Sequence, residues 1–118
     1  MPLYLCIDSS NYTSSAALTD KSGRNIADCR QLLAVKQGEK GLRQSAALFQ
    51  HWENLPLLLT PLLNQYRSDI AGVCASSRPR PVEGSYMPVF KAGTALGQTV
   101  AAALQVPFTQ TSHQEGHI

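Results

Sequence analysis

Residues 3–8 read Leu-Tyr-Leu-Cys-Ile-Asp and are followed directly by Ser9 and Ser10. A short apolar run that stops at small polar residues is typical of a buried β-strand that ends in a turn. A second short run at 14–19 leads through the turn sequence Asp-Lys-Ser-Gly into a third run at about 24–35. That turn sequence favours a hairpin, so we expect the domain to open with three antiparallel strands.

Beyond residue 44 the composition changes to helix formers, and leucines recur near helical spacing between Leu48 and Leu63. We predict one long helix, or two joined at Pro56 and Pro61, over about 44–66. Three further elements are predicted: a strand at 70–75, a helix at about 88–104 and a strand at 106–109. Because strands joined by crossover helices run parallel, the expected fold is α/β, a mixed five-stranded sheet covered by helices.

The composition is that of one folded domain. With 43% hydrophobic and 15% charged residues, the 118-residue chain is too apolar for a disordered segment and long enough to bury a core. The formal charge is +2 without long runs of like charge, so a nucleic-acid-binding arm or a polybasic membrane patch is not expected. The most apolar stretch, 55–63, is too short to cross a bilayer. We therefore expect a cytoplasmic protein that does not enter membranes.

Four isolated side chains of reactive type are interpreted as structural. Cys6, Cys29 and Cys74 stand far apart among apolar neighbours. Their odd number and their lack of metal-ligand spacing predict reduced, buried thiols. His51 precedes Trp52 in the first predicted helix, and we expect it at the helix surface or at the edge of the core.

The turn after the first strand is a candidate phosphate site. Asp8, Ser9 and Ser10 stand where the chain turns into the second strand, so that hydroxyl and backbone N–H groups could face a phosphate. Asp8 could hold a metal-bound water. An ordinary polar hairpin has the same composition, and both interpretations stay open.

The loop 77–85 is a second candidate, and it contains Arg78, Arg80 and Gly84. It follows a predicted buried strand and precedes a helix, where open α/β sheets usually place their ligand loops. Its two guanidinium groups could bind phosphate or carboxylate. The alternatives are a stiff, solvated connector and, less strongly, a polyproline segment that another protein recognises.

The segment His-Gln-Glu-Gly-His at 113–117 places two imidazoles four residues apart, which suits a shared metal ion if the segment is helical. It is not the zincin motif, because Gln114 stands where that motif has its general-base Glu. A catalytic zinc site usually takes three ligands from the protein. By themselves, His113 and His117 are therefore either part of a metal site or a chance surface feature.

Three segments, in this order, carry a resemblance to a known family. Ile-Asp-Ser-Ser at 7–10 looks like an opening Ile-Glu-Thr-Ser, and 70–104 looks like a strand, loop and Gly/Ala-rich helix. The sequence Ser-His-Gln-Glu-Gly-His-Ile at 112–118 is similar to a His-x-Glu-Gly-His motif. These are features of the tRNA threonylcarbamoyladenosine transferases, the Gcp/TsaD-type proteins once described as O-sialoglycoprotein endopeptidases or glycoproteases.

The resemblance implies the actin/Hsp70/sugar-kinase type of fold, in which two lobes hold ATP or an adenylate and a metal ion between them. Residues 1–118 would be a single domain, the first lobe, without its second lobe. It also implies His113 and His117 as ligands of iron or zinc, with an acid of the second lobe, and it places Asp8, Ser9 and Ser10 near the reacting group. Arg78, Arg80 and Gly84, from the loop described above, are the other candidates for binding nucleotide or substrate. The full-length parent would transfer threonylcarbamoyl from its adenylate to tRNA, with the metal as Lewis acid, and this lobe alone would be inactive.

Two departures from the family pattern bear on this chemistry. Asn-Tyr-Thr-Ser at 11–14 stands where the family has Cys-Asp-Glu-Thr, and Arg-Pro-Arg at 78–80 stands where it has Gly-Pro-Gly. The first change removes two acids, and the second fills a place where bare backbone lets a ligand approach closely. We therefore expect a divergent paralogue, with another substrate or with lapsed catalysis.

Two alternatives to a metal-dependent transferase stay open. A lapsed paralogue would act as a scaffold that pairs with a second copy or a related paralogue through the 44–66 helix. The leucines of that helix offer more apolar surface than one sheet face needs to cover. A metalloprotease of the O-sialoglycoprotein endopeptidase kind is the second alternative, against which Gln114 argues.

Overall fold

The computed structural model describes residues 2–10, 13–34, 44–78 and 89–112 of the chain. The elements follow the predicted order of three strands, a helix, a strand, a helix and a strand. In chain order they are β1 (Leu3–Ser9), β2 (Thr13–Asp20), β3 (Asn25–Leu32), α1 (Gln44–Tyr66), a short 3-10 turn (Arg67–Asp69), β4 (Ile70–Arg78), α2 (Phe90–Leu104) and β5 (Phe108–Ser112). Neither helix in these ranges is long and apolar enough to cross a membrane.

The strands form one five-stranded sheet in the order β3-β2-β1-β4-β5. β2 pairs antiparallel with both β1 and β3, whereas β4 pairs parallel with both β1 and β5. β4 and β5 are parallel to β1 because each is reached through a helix that crosses over the sheet. The predicted mixed sheet is therefore confirmed.

The two faces of the sheet differ in burial. Along β1, Leu5 and Ile7 are buried, whereas Tyr4 and Cys6 keep contact with solvent. Both helices pack on the buried side, which we call the helix face. Its core contains Leu5, Ile7, Leu18, Leu55, Leu59 and Val73. The opposite side, which we call the open face, carries Tyr4, Cys6, Asp8, Ala17, Cys74 and Thr109, none of which is buried.

Helix α1 is continuous even though it contains Pro56 and Pro61. A proline lacks the N–H group that would bond the carbonyl four residues earlier. Here both prolines lie on the exposed side of α1, as do Trp52 and Leu57, the residues whose carbonyls lose that donor. Water can solvate these carbonyls, so one long helix forms instead of two.

Helix α2 lies close to the sheet because it presents glycines to it. A Cβ atom added at Gly93 would lie 3.0 Å from Ser9 Oγ, and one added at Gly97 would lie 2.8 Å from Phe108 Cε1. Both distances are shorter than ordinary van der Waals contacts. A side chain at either position would have to displace the neighbouring Ser9 or Phe108 side chain, or else move α2 away from the strands.

β5 begins later than predicted because α2 ends in a left-handed residue. Gln105 has a φ of 57°, and its N–H donates to the carbonyl of Ala102 while the N–H of Val106 donates to that of Ala101. Val106 therefore belongs to the C-terminal cap of the helix rather than to a strand. The strand itself starts at Phe108.

The hairpin between β2 and β3 forms at the predicted turn. Asp20 Oδ1 accepts hydrogen bonds from the N–H groups of Ser22 and Arg24, each at 2.9 Å, and from the Ser22 hydroxyl at 2.6 Å. These bonds, the one from the Ser22 hydroxyl above all, lower the pKa of Asp20. Gly23 completes the turn with a φ of +89°, a conformation that glycine adopts without strain.

We expect Gly97→Ala to destabilise the protein by about 1–2 kcal/mol, because the new methyl group would force the Phe108 ring aside. Urea unfolding followed by circular dichroism measures the change. Gln98→Ala, on the exposed side of the same helix, is the matched control and should change stability by less than about 0.5 kcal/mol. Combining Gly97→Ala with Phe108→Leu should recover part of the loss. A Gly97→Ala protein as stable as the parent would contradict this packing.

Candidate functional site

The carboxyl end of β1 is held against the start of α2 by a buried hydroxyl. Ser9 Oγ donates to the carbonyl oxygen of Val89 at 2.8 Å and accepts from the N–H of Gly93 at 3.1 Å. The Ser9 side chain is fully buried. The turn residue that we predicted to face a phosphate therefore uses its hydroxyl to position α2 in this structure. Its predicted contact with nucleotide or substrate stays a prediction.

Ser10 closes the turn between β1 and β2. Its hydroxyl donates to the Thr13 carbonyl at 3.3 Å and accepts from the Thr13 N–H at 3.1 Å, and its own N–H donates to the same carbonyl at 3.2 Å. These bonds are of the kind that serine makes in tight turns. The two residues between Ser10 and Thr13 lie outside the described part of the chain.

His51 is fully buried and fixes α1 to this turn, so the prediction of a helix-surface or core-edge residue was wrong. Its Nε2 lies 2.6 Å from the carbonyl oxygen of Ser10, and its Nδ1 lies 2.7 Å from Ser14 Oγ. A carbonyl only accepts, so Nε2 carries the hydrogen and Nδ1 accepts from the Ser14 hydroxyl. Asn54 Nδ2 in turn donates to Ser14 Oγ at 3.3 Å. We call this the Asn54–Ser14–His51–Ser10 chain.

The chain of hydrogen bonds pairs a serine with a histidine, as nucleophilic enzymes do. In those enzymes the serine hydroxyl must reach a substrate. Ser14 and His51 are both fully buried, which favours a structural role for the pair. Burial is also the main reason that the pKa of His51 is lowered, although the bond to the Ser10 carbonyl and the charge of Asp8 act in the opposite direction.

Asp8 lies on the open face at the end of β1. It is the Cα partner of Ser15 on β2, which is in turn the partner of Arg30 on β3. Arg30 Nε lies 3.2 Å from Asp28 Oδ1, and this pairing, with a smaller effect of the Asp8 charge, raises the pKa of Arg30. This edge of the open face therefore carries two acids and one base, all partly or fully accessible to solvent.

The other predicted ligand residues are mostly outside the described ranges. β4 extends three residues beyond its predicted end, to Arg78, whose backbone pairs with Ser112 at the end of β5. The Arg78 side chain and Arg80, Gly84, His113 and His117 lie outside the described part of the chain. Within that part, no group of three or more His, Cys, Asp or Glu side chains is arranged to hold a metal ion. The predicted metal and nucleotide residues stay predictions.

The cysteines are free, as predicted, but partly exposed rather than buried. Cys6 and Cys74 are Cα partners on β1 and β4 and lie side by side on the open face, whereas Cys29 pairs with Ala16 and lies on the helix face. A hydrogen bond from the Cys74 thiol is the largest cause that lowers the pKa of Cys6, to about 7. The same bond and burial raise the pKa of Cys74.

Comparison with known proteins gives matches among solved structures alone. No protein-family profile matches the chain, and no curated protein sequence does. YeaZ from Pseudomonas aeruginosa is similar with a TM-score of 0.58 and 19% identity, over 95% of this chain and 44% of that one. The ethanolamine utilization protein EutJ from Carboxydothermus hydrogenoformans has a TM-score of 0.54 and 16% identity, over 95% of this chain and 37% of that one. RuvC from T. thermophilus, solved with a Holliday junction substrate, has a TM-score of 0.54 and 9% identity, over 98% and 67%.

These similarities define the fold class. With its mixed five-stranded sheet, the chain has the α/β fold of the actin-like ATPases, as its similarity to YeaZ and EutJ shows, so the predicted fold is confirmed. It spans less than half the length of the YeaZ and EutJ chains. The fold is consistent with the first lobe of a Gcp/TsaD-type protein, which is the resemblance that the sequence carries.

We expect the free energy of unfolding to fall as the pH is lowered below about 6.5, because the unfolded chain then binds a proton at His51 that the folded protein does not. The pKa of His51 is lower in the folded state, so this contribution is complete at pH 7 to 8 and is lost toward lower pH. Its slope is at most about 1.4 kcal/mol per pH unit. Urea unfolding between pH 5 and pH 8 measures it.

His51→Gln is the matched comparison, because all other titratable groups are common to the two proteins. The variant should be less stable at pH 7 by about 1–3 kcal/mol, owing to the loss of buried hydrogen bonds. The difference between the two proteins should shrink toward pH 5. A difference that stays constant across the range would contradict a buried, neutral His51.

Proposed function

We propose that the chain is the first lobe of a YeaZ-like protein related to the Gcp/TsaD family. We propose further that it serves threonylcarbamoyladenosine-type tRNA modification as a scaffold, by pairing with a second copy of itself through α1. The observation that carries the pairing is an apolar stripe on the exposed side of that helix. The resemblance of the sequence to the Gcp/TsaD family and the fold shared with YeaZ support the link to tRNA modification.

The stripe consists of large apolar side chains that point away from the core. Phe49 is 65% exposed, Trp52 45% and Leu57 74%, and Pro56 and Pro61 lie on the same side of α1. We call these five residues the α1 stripe. Large apolar side chains gathered on one side of a helix mark an interaction surface rather than an ordinary solvated face.

The composition of α1 favours a protein partner of the same kind. Glu53 is its one charged side chain; it is exposed and lies one helical turn from both Phe49 and Leu57, within the stripe. A two-fold axis brings the same patch of two copies together, so the two copies pair with the Glu53 carboxylates turned to solvent at the rim and the aromatic side chains at the centre of the interface. A second copy of this chain therefore fits the α1 stripe.

The polar residues at the end of β1 support a scaffold rather than chemistry of the lobe's own. The Ser9 hydroxyl forms hydrogen bonds with the backbone of Val89 and Gly93, and the Ser10 hydroxyl forms hydrogen bonds with the backbone of Thr13. The acids of the family pattern are replaced at 11–14. Binding of ATP or an adenylate and of iron or zinc stays a proposal for the two-lobed parent. No contact among the described residues favours the metalloprotease alternative.

The triple variant Phe49→Ser, Trp52→Ser, Leu57→Ser should convert a dimer into a monomer. Sedimentation equilibrium or light scattering between about 1 and 100 μM measures this. Trp52→Ala alone should weaken self-association by a factor of about 900, because a symmetric dimer loses two hot-spot side chains worth about 2 kcal/mol each.

Ala95→Ser and Gln98→Ser, both exposed on α2 and not on α1, form the matched control and should leave the dimer unchanged. Because the stripe residues are exposed, the variants should keep the circular dichroism spectrum of the parent. A parent that stays monomeric over the whole range, or a triple variant that still dimerises, would contradict the proposal.

The link to tRNA modification has its own test. Deletion of the gene in the source organism should lower the threonylcarbamoyladenosine content of its tRNA, measured by nucleoside mass spectrometry. Reintroducing the parent sequence should restore the content, whereas the triple stripe variant should not. An unchanged content after deletion would separate the chain from this pathway even if it dimerises through α1.

A further inference from the structure

Two of the three cysteines are neighbours on the open face of the sheet. Cys6 on β1 and Cys74 on β4 are directly paired positions of parallel strands, and their side chains leave the sheet on the same side. Neighbouring strands lie about 4.8 Å apart. The Cα atoms of a disulfide usually lie about 4.4–6.8 Å apart. The register alone therefore brings the two thiols within bonding reach without moving a strand.

The two thiols also influence each other's ionisation. The neighbouring Cys74 thiol and, to a smaller extent, Thr19 on β2 favour the thiolate of Cys6 and lower its pKa to about 7 in spite of partial burial. The pKa of Cys74 is raised. One thiol of the pair therefore ionises more readily than an isolated thiol, and we assign the attack to Cys6.

The open face also gives small reagents access beside Cys74. A shallow depression of about 160 Å³ is lined by Cys74 together with Tyr4, Gly72, Pro107 and Thr109, and Cys6 lies next to Cys74 outside this lining. Gly72 contributes no side chain to fill it, and both cysteines are partly exposed. Cys29 lies on the other side of the sheet, against the core.

We propose that Cys6 and Cys74 form a reversible thiol–disulfide site that reacts with low-molecular-weight disulfides of the glutathione type. The Cys6 thiolate attacks one sulfur of glutathione disulfide, so that a mixed disulfide forms and one glutathione thiolate leaves. Cys74 then gives its proton to solvent or to that thiolate and attacks the Cys6 sulfur. The second glutathione leaves, and the protein gains one disulfide while the oxidant is reduced to two thiols.

This inference does not depend on the proposed function. The test treats the purified protein with glutathione disulfide, quenches with acid and digests with trypsin without reductant. The three cysteines fall in separate tryptic peptides, 1–21, 25–30 and 68–91. Mass spectrometry should find peptide 1–21 linked to peptide 68–91 with the loss of two hydrogens, and the link should disappear with dithiothreitol. A link that includes 25–30, or glutathione adducts in place of a link, would overturn the proposal.

Single serine variants separate the two roles. Cys74→Ser should stop at a stable glutathione adduct on Cys6, because the second thiol is missing. In Cys6→Ser, Cys74 should form no link and should react with glutathione disulfide more slowly at pH 7 than Cys6 does in Cys74→Ser, because partial burial still disfavours its thiolate. Cys29→Ser is the matched control and should form the link as the parent does.

A measurement on the parent protein tests the same site without relying on variants that could fail to fold. At pH 7, iodoacetamide should label Cys6 before Cys74, and oxidation with glutathione disulfide beforehand should protect both while Cys29 stays reactive. Equal labelling of Cys6 and Cys74 would overturn the assignment of the attack to Cys6. Failure of the oxidant to protect the pair, or protection of Cys29, would overturn the proposed site.

Discussion

The packing of both helices depends on buried hydrogen bonds at the carboxyl end of β1. Ser9 holds the first turn of α2 through Val89 and Gly93, and the Ser10 carbonyl holds α1 through His51. Each bond joins segments that are far apart in sequence, so each depends on the tertiary fold rather than on local structure. A buried polar group that loses its partner costs about 1–3 kcal/mol. These two adjacent serines therefore set where both helices lie on the helix face.

The same constraint explains the close approach of α2. The Ser9 hydroxyl reaches the Gly93 N–H because no Cβ stands between them, and Gly97 lets the Phe108 ring lie against the helix one turn later. The hydrogen bond at Gly93 and the close packing at Gly97 thus reinforce each other along the side of α2 that faces the sheet. The left-handed Gln105 then ends α2 and returns the chain to the sheet as β5.

The order of the elements and the mixed sheet could be predicted because apolar runs, turn residues and crossover helices are local signals. The burial of His51 was missed, although Ala47, Leu55 and Leu59 stand at intervals of four residues from it and mark the buried side of α1. Its acceptor and donor, Ser10 and Ser14, lie 41 and 37 residues away in sequence. A single sequence does not reveal such partners.

The cysteine pair was missed for a similar reason. The distance between Cys6 and Cys74 depends on the register of β1 against β4, which packing of the helix face decides and which no local pattern encodes. A slip of one residue would place one of the two thiols on the other side of the sheet. What spacing did predict was the extent of α1. The leucines expected to offer surplus apolar surface pack in or against the core, apart from Leu57, and the other large exposed apolar side chains of the helix are Phe49 and Trp52.

The α1 stripe and the cysteine pair lie on opposite sides of the molecule. α1 covers the helix face, so its exposed side points away from the sheet, whereas Cys6 and Cys74 point outward from the open face. A partner bound to the stripe therefore leaves the depression beside Cys74 accessible, and a disulfide between β1 and β4 changes no residue of the stripe. Because the pair crosslinks two central strands that already lie at bonding distance, oxidation would stiffen the sheet without rearranging the helices packed on it.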